Sequence, residues 1–166
     1  MLEKIEYKAQ VQDGLTIRPA ENNDRQAVIA LVREVLAEFA IPFGVASATD
    51  LQLHELPESY TRLGGRFWVA FDGDRLIGTV GVFPVKDSTY ELRKMYLSPA
   101  ARGKRLGQKL LDCALAWVIA HGGKQVVLDT TEEMGAAISL YERNGFVRDD
   151  RYITASRCSR GYAKQL

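Results

Sequence analysis

The chain has 166 residues, 46% hydrophobic and 26% charged, with a formal net charge of +1. This fits one ordinary globular domain, 1–166, and the balanced charge argues against a nucleic-acid coat. Cys113 and Cys158 form neither a metal spacing nor a disulfide framework, no apolar run nears the ~20 residues that span a bilayer, and Met1 to Glu6 lacks an apolar signal core, so a soluble cytoplasmic protein is expected.

Residues 1–13 read as a loose lead-in. Leu15 to Arg18 reads as a short strand stopped by Pro19. Asn22 or Asn23 can cap a helix running to about Phe39, because Val28, Leu31, Val32, Val35, Leu36 and Phe39 recur at helical spacing. The stretch 41–60 holds Pro42, Gly44 and Pro57 and is irregular apart from a weak helix over Asp50 to Glu55, which makes it a candidate substrate-facing flap. Phe67 to Phe71 and Leu76 to Phe83 read as strands joined by a turn at Asp72-Gly73-Asp74. Asp87-Ser88 leads into a strand over 90–97, ended by Ser98-Pro99. Leu106, Leu110, Leu111, Ala114, Leu115 and Val118 form the buried face of a helix from Leu106 to about Ala120, stopped by Gly122-Gly123. Gln125 to Thr130 has little alternation, as expected of a strand covered on both faces. A helix from about Gly135 to Arg143 and a strand from Phe146 complete the pattern. The expected fold is α/β (α+β), with an antiparallel first half and a parallel crossover through helix 106–120.

The run Arg102-Gly103-Lys104-Arg105-Leu106-Gly107 joins a strand to a helix. The first N–H groups of a helix have no intrahelical partner and the dipole favours an anion there. Amides near Gly103, Lys104, Arg105, Gly107 and Gln108 could therefore converge on one phosphate group, and the two glycines let backbone come close. The same run alone also reads as a solvated basic loop. Some 35 residues on comes Leu140-Tyr141-Glu142-Arg143-Asn144-Gly145-Phe146.

Together these segments resemble the GNAT family of N-acetyltransferases. The family's phosphate loop is Arg/Gln-x-x-Gly-x-Gly/Ala, matched here at Arg102 and Gly107, while Arg105 stands where the family more often has Gly. Glu91 to Pro99 resembles the family's fourth strand, and Ala136 to Phe146 its cofactor-side helix and the following strand. Seven residues before Tyr141 the family often has an Asn against the pantetheine arm; this chain has Met134. The resemblance covers about Phe67 to Val147 and implies a mixed, mostly antiparallel twisted sheet with splayed central strands and about four flanking helices.

It also implies acetyl-CoA as co-substrate, lying along Met95, Tyr96 and Leu97 with its phosphates on Arg102 to Gln108, including Leu106, and with no metal. A bulge in the 90–97 strand would free the Leu97 N–H to polarise the thioester carbonyl. Tyr141 takes the family's position for the acid that protonates the leaving thiolate, and also contacts the cofactor; by its apolar neighbours Ala137 and Leu140 alone it would read as a core aromatic. Glu91 is the candidate base. A regular strand places it on one face with Arg93, Met95 and Leu97, and an ion pair with Arg93 is its bland alternative. Asp129 is a second candidate. Neither cysteine falls near the expected centre, so direct transfer is expected. The acceptor reads as a small amine or amino acid, with a protein acceptor or a non-catalytic CoA-binding module as alternatives. Asp50, Glu55 and Glu58 give the flap a mild acidic bias suited to a cationic acceptor. No nucleic acid and no membrane partner is expected, and a homodimer stays open.

Overall fold

The computed structural model describes residues 10–12 and 14–166. In chain order the elements are β1 (Gln10–Gln12), β2 (Leu15–Pro19), α1 (Arg25–Glu38), the single turns α2 (Ala48–Leu51) and α3 (Glu58–Thr61), β3 (Arg66–Asp72), β4 (Arg75–Lys86), β5 (Thr89–Leu97), α4 (Leu106–Ala120), β6 (Gln125–Thr130), α5 (Gly135–Arg143), β7 (Val147–Arg148) and β8 (Arg160–Gln165). The strands form one eight-stranded sheet among the described residues, in the order β1-β2-β3-β4-β5-β6-β8-β7. Every pairing is antiparallel except β5 with β6, which α4 connects as a crossover. Of the expected lead-in, 10–12 instead pair with β2, and 1–9 and 13 lie outside the described residues.

Each sheet face carries its own apolar core. On one, α4 buries Leu106, Leu110, Leu111, Ala114 and Val118 against Trp68, Val80, Val82 and Val126. On the other, α1 buries Val28, Val32 and Leu36 with Leu53, Leu56 and Tyr60 from the 41–60 stretch. Full burial of such a side chain contributes about 1.5–3 kcal/mol, so this stretch is anchored across its second half. The expected Asn cap of α1 does not form. A 3-10 turn, Asn22–Asp24, precedes the helix, and Asp24 accepts from the Glu21 N–H at 2.7 Å and pairs with Arg18. α4 ends as expected, with Gly122 at φ 78°.

Two irregularities in the sheet create the site. The β5–β6 pairing stops at Glu91↔Val127, although β6 runs on beside β8 to Thr130. Beyond Glu91 the edge of β5 facing β6 is therefore open. In addition, β4 pairs Thr79 with Tyr96 but Gly81 with Arg93, so Lys94 and Met95 together face Val80. This is a β-bulge, with Lys94 at φ 52° and the Thr79 hydroxyl donating to the Lys94 carbonyl at 2.7 Å.

The bulge corrects one expectation. An extra residue reverses the alternation of every side chain after it. Met95 and Leu97 therefore pack toward the α4 core together with Tyr90 and Leu92, while Tyr96 packs toward the α1 core. Glu91 and Arg93 do not share a face with Met95 and Leu97.

Candidate active site

A cleft of about 730 Å³ opens along the free edge of β5. Met95, Tyr96 and Leu97 form one wall, α4's first turn another, and Val35, Phe39, Ala137 and Leu140 add apolar surface. Arg102, Gly103, Arg105, Leu106, Gly107 and Gln108 all line it, whereas Lys104 is exposed and lies outside its wall. No side chain caps α4, so the N–H groups of Leu106, Gly107 and Gln108 keep no intrahelical partner. Two cationic side chains flank them. A carbon added at Gly103 would meet nothing within 4 Å, so the loop is open toward solvent. The geometry suits an anion such as a phosphate.

Arg105 has φ 61° and ψ 12°, the left-handed region. Thus the departure from glycine is accommodated without changing the helix start, with an L-residue strained by roughly 1–2 kcal/mol. Arg102 is held by a bidentate pair with Glu38 at the end of α1 (2.7 and 2.8 Å) and also donates to the Leu97 carbonyl at 3.1 Å. The pairing with Glu38 raises the guanidinium's affinity for its proton and lowers the Glu38 carboxyl. Gly107 has a different duty from the loop glycine. A carbon there would lie 3.3 Å from Leu140 and 3.5 Å from Leu97, so its smallness lets α4 approach α5 and β5.

The Leu97 amide faces the gap. Ser98 donates its N–H to the Ile77 carbonyl on β4 at 2.9 Å. Backbone groups alternate along a strand, which turns the Leu97 N–H the other way, toward the open edge.

A second, polar cavity of about 70 Å³ adjoins the cleft and shares Met95, Tyr96, Met134 and Ala137 with it. Glu91, Tyr141, Lys94, Arg157, Asp129, Thr131 and Cys158 line the small cavity. Tyr141 is 5% exposed and lines this cavity rather than the large cleft. Its ring packs at 5.7 Å from Phe146 and 6.5 Å from Tyr162. Burial, with Tyr96 as a lesser cause, pushes the phenol well above its ordinary range, so it keeps its proton. Glu91 is buried and paired with Arg93 through both oxygens, at 3.0 and 3.2 Å. The ion pair and the cavity position thus hold together. Asp129 Oδ2 accepts from the Thr154 N–H, the Thr154 hydroxyl and the Ala155 N–H, at 2.8, 3.1 and 2.9 Å, and so fastens the loop before β8.

Two expectations are corrected here. Cys158 does border the cavity, because that loop folds back over β6; burial, with Asp129 nearby, pushes its thiol up to about 12, so it stays protonated. The flap's acidic bias is also reduced, to the exposed Glu55, which lines neither cavity. Asp50 is fully buried, ion-paired to Lys94, and bidentate with Arg157 at 2.7 and 3.0 Å, while the Gly44 N–H donates at 2.9 Å. Glu58 pairs with Arg25 at 2.8 Å.

Sequence reasoning missed the Asp50–Lys94–Arg157 cluster and the cavity role of Thr131. The bulge itself had a signal. Apolar residues of β5 fall at Tyr90 and Leu92, then at Met95 and Leu97, a change of phase across Arg93-Lys94. His54 and His121 lie outside both cavities. Among the described residues no group of His, Cys, Asp or Glu could hold a metal ion, and no helix is long and apolar enough to cross a membrane.

The chain matches the model of the acetyltransferase (GNAT) family over residues 30–146. It is 34% identical over 131 residues to the uncharacterized N-acetyltransferase YjgM of Escherichia coli K12, covering 76% of this chain and 78% of that one. It is 38% identical over 111 residues to the mycothiol acetyltransferase of Geodermatophilus obscurus, but the match spans 63% of this chain and only 35% of that protein. Against the mouse probable N-acetyltransferase family 8 member 5 it spans 52% of that protein's length. Among solved structures, an acetyltransferase from Streptococcus agalactiae superposes with a TM-score of 0.84 at 27% identity, over 93% of this chain and 100% of that one. The PaiA N-acetyltransferase of Thermoplasma acidophilum, solved with coenzyme A, gives 0.72 at 24% identity over 92% and 99%, a likeness of fold.

Proposed function

The chain belongs to the GNAT family of acetyltransferases, and from that premise we propose that it moves an acetyl group from acetyl-CoA directly to the amine of a small acceptor, an amine or amino acid. One observation carries this reading: the large cleft joins an uncapped helix start to a free strand edge, and the polar cavity opens at that edge. The pyrophosphate would sit on the Leu106, Gly107 and Gln108 amides between Arg102 and Arg105, with the pantetheine arm along Met95 to Leu97. When bound, acetyl-CoA supplies an activated acyl group on a thiol leaving group.

The chain's own residues would do the rest. The Leu97 N–H donates toward the position where negative charge develops on the carbonyl oxygen, a preorganised contact that favours the transition state. Glu91 takes the proton of the acceptor ammonium, directly or through a water. Tyr141, kept neutral by burial, gives its proton to the departing thiolate. Cys158, protonated as well, is a poor nucleophile, which supports direct transfer. The small cavity of about 70 Å³ favours a compact acceptor over a protein tail.

Calorimetric unfolding with and without acetyl-CoA tests the reading, together with an assay of CoA release against a panel of amines. A ligand specific for the folded state adds about 2.7 kcal/mol at 100 times its dissociation constant. Absence of any shift at saturating acetyl-CoA would overturn the assignment of the cleft.

A further inference from the structure

The small cavity is lined by two cationic side chains, Lys94 and Arg157, that together carry more donors than their shared carboxylate, Asp50, accepts. Asp50 is saturated: Oδ1 takes the Lys94 ammonium and one Arg157 nitrogen, and Oδ2 takes the other Arg157 nitrogen and the Gly44 N–H. Two cations thus share one carboxylate. Among the described residues Lys94 and Arg157 pair with no carboxylate but Asp50, and the Tyr96 phenol is a further neighbour of Arg157. An ammonium carries three donors and a guanidinium five, so several stay unused. The two side chains are 4% and 13% exposed, so water reaches them poorly. Of the other carboxylates in the cavity, Glu91 gives both oxygens to Arg93, and Asp129 gives Oδ2 to Thr154 and Ala155. A second, independent observation agrees. Thr131 is 6% exposed, borders the cavity, and its hydroxyl is buried without a hydrogen-bond partner. Buried polar groups are rarely left unpaired unless a ligand or water completes them.

We propose that this cavity binds a carboxylate belonging to the acceptor, held by Arg157, Lys94 and the Thr131 hydroxyl, so that the acceptor is an amino acid rather than a plain amine. For the chemistry after binding, the proposal rests on the acetyl-transfer reading. A carboxylate supplies acceptor sites and no donor when ionised, which complements the surplus. It also balances the charge of a cluster in which one carboxylate faces two buried cations. The cavity meets the cleft at Met95 and Tyr96, next to the Leu97 amide. An anchored carboxylate therefore leaves the neighbouring amine between Glu91 and the thioester position.

The test uses the full chain and the proteinogenic L-amino acids, each paired with its carboxamide. Thermal protection is measured first without acetyl-CoA, then kcat/KM for CoA release with it. At least one amino acid should protect the wild type while its carboxamide does not, and kcat/KM should favour the acid by about 100-fold. Arg157→Met leaves the Lys94–Asp50 pair intact, so the fold is kept; it should abolish the protection and lower kcat/KM for the acid by about 100-fold through KM, with acetyl-CoA affinity unchanged. Thr131→Val should raise KM for the acid about tenfold without lowering the melting temperature, a split that a packing role would not give. Equal use of acid and carboxamide, or no protection by any amino acid, would overturn the proposal. Failure of acetyl-CoA to bind would instead remove the transfer reading, while the protection measurement would still decide the carboxylate site.

Discussion

Asp50→Asn is nearly isosteric and removes one negative charge from a fully buried side chain. In the wild type that charge faces two cations, Lys94 and Arg157, with side chains 4% and 13% exposed. The asparagine would turn its amide nitrogen toward one of the existing donors and leave both cations uncompensated. Breaking a buried ion pair by removing one partner costs about 3–5 kcal/mol. In a chain of this size each kcal/mol moves the melting temperature by about 2–4 °C, so a fall of roughly 6–20 °C is expected by calorimetry at neutral pH. Lys94→Met is the contrast. It keeps the bidentate Asp50–Arg157 pair and removes a cation whose proton affinity burial has already lowered despite Asp50. Its cost should stay within about 1 kcal/mol. Burial by itself pushes the Asp50 carboxyl up, but the Arg157 hydrogen bond and Lys94 together bring it below the usual value. Its stabilisation is therefore complete above the unfolded value, about 3.9, and is lost as pH falls through the lower folded value. The gap between wild type and Asp50→Asn should be constant near neutrality and close only below about pH 4. A loss under about 1 kcal/mol for Asp50→Asn, or equal losses for both variants, would refute the buried cluster.

Three further outcomes are expected. Tyr141→Phe should lower kcat by about 10²–10⁴-fold and leave acetyl-CoA affinity nearly unchanged in a titration; unchanged turnover would make Tyr141 a packing residue between Phe146 and Tyr162. Arg105→Gly relieves the left-handed strain of about 1–2 kcal/mol but costs about 0.5–1 kcal/mol through the freer unfolded chain. The net should be zero to slightly stabilising in thermal unfolding, with weaker acetyl-CoA binding that is less sensitive to salt. Cys158, with its thiol pushed up to about 12, should react with a thiol-specific reagent at pH 8 at least about 100-fold more slowly than a free cysteine; a fast native-state reaction would contradict its half-buried placement beside Asp129.

Much was legible without coordinates because it is encoded locally. Helical spacing from Val28 to Leu36 and from Leu106 to Val118 located both long helices and their buried faces. The strand–basic turn–helix order around Arg102 to Gly107 placed the uncapped helix start on the cleft. The resemblance anticipated the splayed sheet, and β5 does part from β6 after Glu91. What the tertiary structure alone decided depends on residues far apart in the chain. Asp50 meets Lys94 and Arg157 across separations of 44 and 107 residues, and no periodicity reports a contact of that range. Taken singly, Asp50 read as a flap acid. Folding pairs it with the two cations because a buried charge needs a partner more than it needs a neighbour in sequence. The bulge at Lys94 and Met95 lies between the two cases. Its phase change is written in β5, but only the pairing with Val80 fixes which residue is extra and so which face Met95 and Leu97 occupy. The helix-start side of the cleft comes from backbone geometry, which sequence predicts well; the polar cavity comes from packing of the 41–60 stretch and the loop before β8, which it does not.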